Sequence, residues 1–260
     1  METSPAVLTE VIAQYSSYVP ELANINEAQI DMLAQYCQLA WTWNEKINLT
    51  RHTDFDKFVK HDLVDTLALA RHINPKERVM DVGSGGGVPG VLLKILRPDL
   101  HIDLCESVNK KANCLVDIVA QLELRCDVYI GRAEDVLPDV RYNTLTFRAV
   151  AKMAKILEWM RPQMNSFDRM LLIKGPSWVE ERGEARHYGM MTNMALRKLE
   201  EYTLPNTATA TQPDAVSVIL QICHKTRLNE DGSVSFTQWE RNTQRPRRRQ
   251  RPGGKKSEEN

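Results

Sequence analysis

The 260-residue sequence has no Cys-x-x-Cys pair, no His-x-x-x-His pair and no apolar run approaching a membrane span. Each absence removes a class. Cys37, Cys105, Cys114, Cys126 and Cys223 are odd in number and widely spaced, so they read as core thiols rather than a disulfide framework or a zinc module. With no paired histidines either, no metal site is expected. A bilayer needs about 20 consecutive apolar residues, and none of the runs comes near that, so no membrane association is expected. Met-Glu-Thr-Ser-Pro at the start lacks the basic and apolar regions of a secretory signal. A cytoplasmic location is the expectation.

An excess of one charge sign is also missing, but the charge is unevenly placed. Residues 241–260 carry eight cations against two carboxylates, a surplus of six. Because the whole chain is formally neutral, the other 240 residues are acidic by the same amount. Arg247, Arg248, Arg249 and Arg251 form the densest part of this arm, which offers a polyanion such as RNA a cationic contact. After Trp239 the composition turns to Arg, Pro, Gln, Gly and Lys, with too little apolar surface to offset ordering, so this arm is expected to be disordered.

What the chain does have is a glycine loop between a strand and a helix. Val79, Met80 and Val82 read as a buried strand, and Val88 to Leu96 as an apolar helix. Between them, Gly83, Gly85 and Gly87 can take positive φ and let a ligand lie against bare backbone at the carboxyl edge of a sheet. Two cofactors fit. Gly85-x-Gly87-x-x-Gly90, with Glu106 downstream for a ribose hydroxyl, matches a dinucleotide fingerprint. Asp81-x-Gly83-x-Gly85-x-Gly87 matches the first motif of S-adenosyl-L-methionine (AdoMet) methyltransferases, and it also accounts for Asp81. A carboxylate there would oppose a pyrophosphate but attract the cationic amino acid end of AdoMet. AdoMet is the favoured ligand, a ligand-free turn the plain alternative.

Ser4-Pro5 can start a short helix carrying Val7, Leu8, Val11 and Ile12, and periodicity predicts further helices from Asn26 to about Lys46 and over 54–70, a helical cap ahead of the sheet. From Arg78 onward strands alternate with helices, predicting a parallel sheet covered on both faces: strands at 78–82, 100–106, 126–130, 142–147 and 169–173. Segments 196–204 and 215–223 then read as two strands with no helix between them. The expected fold is therefore α/β, a Rossmann-like class I methyltransferase with seven strands and an antiparallel end. The expected divisions are 1–75 for the cap, 76–225 for the AdoMet domain and 226–260 for a C-terminal extension.

Several short motifs occur in order. They are Trp43-Asn44, Asn48-Leu49-Thr50, His61 with Asp65, the run from Asp81 to Gly90 with its Pro89-Gly90, and Glu106-Ser107 with Lys110-Lys111. Arg132-Ala133-Glu134, Arg148-Ala149 with Ala151, and Lys174-Gly175 complete the set. Over roughly residues 40 to 225 the chain resembles the bacterial small-subunit ribosomal RNA guanine-N7 methyltransferase family, RsmG or GidB (glucose-inhibited division protein B). The resemblance implies methyl transfer from AdoMet to N7 of a guanine in a decoding-region loop of 16S rRNA, with naked RNA or the 30S subunit as partner and a monomeric enzyme. Phe147 and Gly86 depart from the family's usual small residue and proline, which bears on fine pocket shape.

The same resemblance assigns Asp81, Gly83, Ser84, Gly85, Gly87, Val88, Glu106, Ser107, Ala133, Glu134 and Arg148 to the cofactor. Glu106, ending its strand, suits the ribose hydroxyls; Ala133 and Glu134 suit the adenine edge, although Glu134 equally suits a helix cap. Arg148, Lys174 and Asn48 are the candidate catalytic residues. The first two would hold a phosphate or the guanine O6, and Asn48 would close over cofactor or base. Arg132 is a candidate contact for RNA or for the cofactor carboxylate. His61 and Asp65 are expected to form a structural pair. Guanine N7 has a free lone pair at neutral pH, so no catalytic base is required. The alternative reading is an RNA-binding or ribosome-assembly factor that binds AdoMet without turnover, and a nicotinamide-dependent oxidoreductase is a more distant third.

Overall fold

A computed structural model describes residues 3–203 and 216–237. The cap comprises α1 (Pro5–Tyr15), α2 (Glu27–Asn44), α3 (Phe55–Lys57) and α4 (Val64–Ala70), the last two joined by a π-helical stretch, Phe58–Leu63. Asn26 begins α2 with a reciprocal capping box: its side chain accepts from Gln29 N, and the Gln29 side chain accepts from Asn26 N. Gln29 also donates to the last carbonyls of α5 (Gly90–Leu96), at Ile95 and Leu96, fixing the cap to the sheet's helices.

The sheet follows. β1 (Arg78–Val82), β2 (His101–Glu106), β3 (Asp127–Ile130), β4 (Tyr142–Arg148) and β5 (Phe167–Lys174) alternate with α5, α6 (Asn109–Gln121), α7 (Ala133–Val136) and α8 (Met153–Met160). α9 (Trp178–His187) leads to β6 (Met194–Thr203) and β7 (Val216–His224). The strand order is β3-β2-β1-β4-β5-β7-β6, with β1 to β5 parallel and β7 antiparallel to both neighbours. This is the expected seven-stranded sheet, and each predicted strand falls within two or three residues of its observed bounds. The expected helix at 88 starts at Gly90 because the loop runs on through Pro89; the four-residue α7 is too short to leave a periodic signal.

Successive side chains on a strand point to opposite faces, so each buried strand feeds two cores. Ile102 and Leu104 of β2, with Leu171 and Ile173 of β5, face the cluster shared with α5, α6 and the cap. Met80, Cys105, Met170 and Leu172 face the second cluster, shared with α7, α8 and α9. All five cysteines are free thiols; Cys37, Cys105, Cys114 and Cys223 are buried and Cys126 is half-buried. Among the described residues no helix is long and apolar enough to cross a membrane, and no group of three metal-ligating side chains occurs. The loop between β6 and β7, and the basic arm with its Arg247, Arg248, Arg249 and Arg251, lie outside the described residues.

Candidate functional site

Because β1 to β5 are parallel, their carboxyl ends line one edge of the sheet, with the register bringing Val82 beside Cys105, Glu106 beside Ile130 and Arg148 beside Ile173. The glycine loop leaves β1 at this edge. Gly83 N and Ser84 N both donate to Cys105 O, at 2.8 and 3.1 Å, and Gly87 N donates to Ser84 O at 2.7 Å, winding the loop onto β2. Gly83, Gly85 and Gly87 have φ of 70, 56 and 105°, as the spacing predicts.

The glycines have two different surroundings. A Cβ on Gly83 would stand 2.8 Å from Val150, one on Gly87 2.6 Å from Val91, and one on Gly90 2.4 Å from Leu104. These three let the loop pack against its own scaffold. A Cβ on Gly85 would meet nothing nearer than the Gly83 carbonyl at 3.8 Å, and Gly131 and Gly175, just beyond β3 and β5, have open space around them. Bare backbone with open space beside it therefore lies along the carboxyl edge. Beside it Val108 leaves 49% of its surface in water, an apolar platform next to the exposed Ser107.

The carboxylates of the loop are already engaged. Glu106 accepts from Gly85 N at 2.9 Å and from Val108 N at 2.8 Å, which holds it between the loop and the turn after β2. Asp81 lies beneath the loop, 1% exposed, accepting from Gly90 N at 3.1 Å and from the Thr146 hydroxyl at 2.8 Å. Burial pushes its pKa up to about 6, against the lowering effect of those hydrogen bonds. Ser84 turns inward: its hydroxyl donates to Asp81 O and accepts from Cys105 N. Val88 and Glu134 are half-buried, Ala133 is buried at the start of α7, and Arg132 is exposed beside it.

Arg148 ends β4 and meets the cap. Its Nε donates to Asp65 at 2.8 Å and its Nη2 to Asp62 at 2.7 Å. Burial would lower the guanidinium pKa, but the two carboxylates outweigh it and raise it. The next residue, Ala149, has φ 56°, a conformation costly for a residue with a Cβ. Lys174 ends β5 and donates to Ala151 O and to Glu181 of α9, both at 2.7 Å. Asp65 does not pair with His61 as its spacing suggests; it receives Arg148 and the Tyr202 hydroxyl. His61 stacks on His52 at 4.7 Å between ring centroids, and His52 Nδ1 bonds Asp62 at 2.9 Å. Burial, and then the neighbouring His52, lower the His61 pKa.

Asn48 is exposed on the segment between α2 and α3, and its neighbour Leu49 lies over Gly86. Sequence reasoning missed Tyr36, whose hydroxyl donates to Gly86 O at 2.9 Å, and Asp62, which is 3% exposed. Helical spacing identified Asp65 but gave no reason to choose Asp62. The π-helical turn brings both carboxylates to one guanidinium, and a wide turn of this kind is a recurrent feature of functional sites.

Comparison with known proteins agrees with this geometry. A precorrin-6y C5,15-methyltransferase from Geobacter metallireducens shares the fold with a TM-score of 0.50 at 12% identity, over 74% of this chain and 99% of that one. Proteins named ribosomal RNA small subunit methyltransferase G are similar in sequence. The one from Rhodopirellula baltica is 51% identical over 68% of this chain and 76% of its own length. That from Roseiflexus castenholzii is 40% identical over 62% and 72%, and that from Streptococcus pneumoniae 33% identical over 70% and 80%. The model of the GidB family, described as rRNA small subunit methyltransferase G, matches residues 29–209. The chain therefore belongs to the rRNA small subunit methyltransferase G family.

Proposed function

We propose that this chain transfers the methyl group of S-adenosyl-L-methionine to N7 of a guanine in small-subunit ribosomal RNA. The observation that carries the reading is the open space that Gly85 and Gly131, both bonded to Glu106, leave at the carboxyl edge. Those residues fit the cofactor. A carboxylate has about four lone-pair positions, so Glu106 can keep its two backbone bonds and still accept from ribose hydroxyls. Val108 offers an apolar face to the adenine ring. Asp81 supplies negative charge from below the loop rather than direct contact.

When bound, AdoMet supplies a methyl activated on a sulfonium sulfur. The chain's own residues then have to position the base and exclude water, a contribution that can reach about 7–11 kcal/mol of a barrier. Guanine N7 gives up electron density as it is methylated, and a bare cation aimed at it would oppose the reaction. Arg148 and Lys174 suit this requirement because Asp62, Asp65 and Glu181 offset their charges. Arg148 acts here as a positioning residue that ties β4 to the cap, and Lys174 does the same between β5 and α9. Asn48 and Leu49, over the loop, are placed to close on cofactor or base.

Mass spectrometry of nucleosides from small ribosomal subunits made with and without the protein tests the reading. One 7-methylguanosine is expected to disappear in its absence. Retention of that nucleoside, with AdoMet still bound by the purified protein, would leave the non-catalytic assembly factor standing instead.

A further inference from the structure

The sheet has a second edge, formed by the amino ends of β1 to β5, the start of β6 and the end of β7. Met194 pairs with His224 there. Two adjoining clefts occupy this edge and share Thr192 and Met194. Arg161, Arg182, Arg186, Lys225, Arg227 and His224 line them, and no carboxylate does, among the described residues.

Acidic groups nearby are engaged elsewhere. Arg227 gives its charge to Asp168, which is fully buried and also binds Arg141. On α9, Glu181 is taken by Lys174 and Glu184 by Lys152. Arg182 lies over the Trp178 ring, and Arg161 donates to the Gly189 carbonyl. Arg161, Arg182, Arg186 and Lys225 thus line the clefts with no carboxylate at ion-pair distance among the described residues. In a chain whose first 240 residues are net acidic, such a surface is not the default of composition.

We infer that this groove docks the sugar-phosphate backbone of ribosomal RNA at a distance from the methylated base. Four cations suit phosphates, while Asn165, Thr192, Asn193 and Thr226 supply neutral partners for 2′-hydroxyls, which an acidic peptide lacks. Tyr188, 60% exposed and edge-on to His187, adds a stacking surface where α9 ends. Thr237 accepts from Arg227 through its hydroxyl, and the Arg-rich arm that follows in the sequence carries charge of the same sign as the groove. That sign also rules the arm out as the groove's own occupant.

The length of β5 separates the groove from the carboxyl edge. Eight residues at about 3.3 Å each give roughly 25 Å. A single bound helix can reach both. The groove therefore reads RNA shape and supplies affinity, while the opposite edge selects and reacts.

This inference rests on the proposed RNA substrate, and one experiment separates the two. The full-length R182E/R186E/K225E variant is compared with wild type and with K57E/R125E/K155E, an equal charge change outside the groove. Binding to unmethylated small subunits is measured across a fourfold range of salt. At low salt the groove variant should bind ten- to a hundredfold more weakly, and its log–log salt slope should fall by about two to three, at 0.7–0.9 per lost phosphate contact. AdoMet affinity and turnover at saturating subunit should stay within twofold of wild type, and the control variant should keep its slope. A photoreactive phenylalanine analogue at position 188 should cross-link to 16S rRNA. An unchanged slope, or cross-linking to ribosomal protein alone, overturns the groove while leaving methylation intact. A wild-type protein that binds subunits but transfers no methyl overturns the proposed function and leaves the docking surface standing.

Discussion

The two edges of the sheet use the same residue types in opposite ways. At the carboxyl edge, Arg148 and Lys174 are clamped by Asp62, Asp65 and Glu181 and serve geometry. At the amino edge, Arg186 and Lys225 face a groove lined by no carboxylate among the described residues, and their charge is available to a partner. A cation in a candidate site is therefore not evidence of ligand binding until its neighbours are counted. The distinction predicts how substitutions at the two edges should differ.

The sharpest break is Arg148→Ala. It strands Asp62 and Asp65, 3% and 6% exposed, without their cation, and removing one partner of a buried pair costs about 3–5 kcal/mol. Denaturant unfolding should register that loss, whereas Arg186→Ala at the other edge should change stability by less than about 0.5 kcal/mol. Equal effects would erase the contrast.

Gly87→Ala comes next. At φ 105° with Val91 2.6 Å from the new Cβ, the loop must shift, and backbone strain alone is about 1–3 kcal/mol. Calorimetry should show AdoMet affinity lost by at least about tenfold, with the salt slope for subunit binding unchanged.

Asp81→Asn sharpens the comparison through pH. Asp81 has its pKa raised to about 6 from a usual 3.8, so the folded protein binds its proton more tightly than the unfolded chain does. Its favourable contribution is complete below about pH 4 and is lost as pH rises through about 6. Relative to wild type, the asparagine variant should gain stability over that window, on the order of 3 kcal/mol by the top of it. Urea midpoints at pH 4.5 and 7.5 would measure it. The smallest effect is expected from Val108→Ser, which removes an apolar face and should weaken AdoMet binding by about 1 kcal/mol without altering unfolding.

How much of this could be read beforehand follows from the range of the interactions. Val79 to Val82 and the glycines announce themselves locally, since alternation and positive φ are properties of neighbouring residues. The antiparallel close was legible for a similar reason: two β-rich runs with no helix between them cannot make a right-handed crossover. The partners of Arg148 were not legible. Asp62 is 86 positions away in the sequence, and it reaches the guanidinium through a π-helical turn that a 3.6-residue period does not anticipate. The amino-edge groove was hidden because its cations come from α9, the turn before β5 and the end of β7, and only the sheet assembles them.

Tyr36 carries one consequence further. Its hydroxyl rests on the carbonyl of Gly86, so the second helix of the chain acts as a latch for a turn fifty residues downstream. Shortening the protein to begin at the first strand would release that latch and bare the oily flank beneath it. The helical prelude is thus part of the machinery's tolerance, the piece that holds a glycine-rich turn in place.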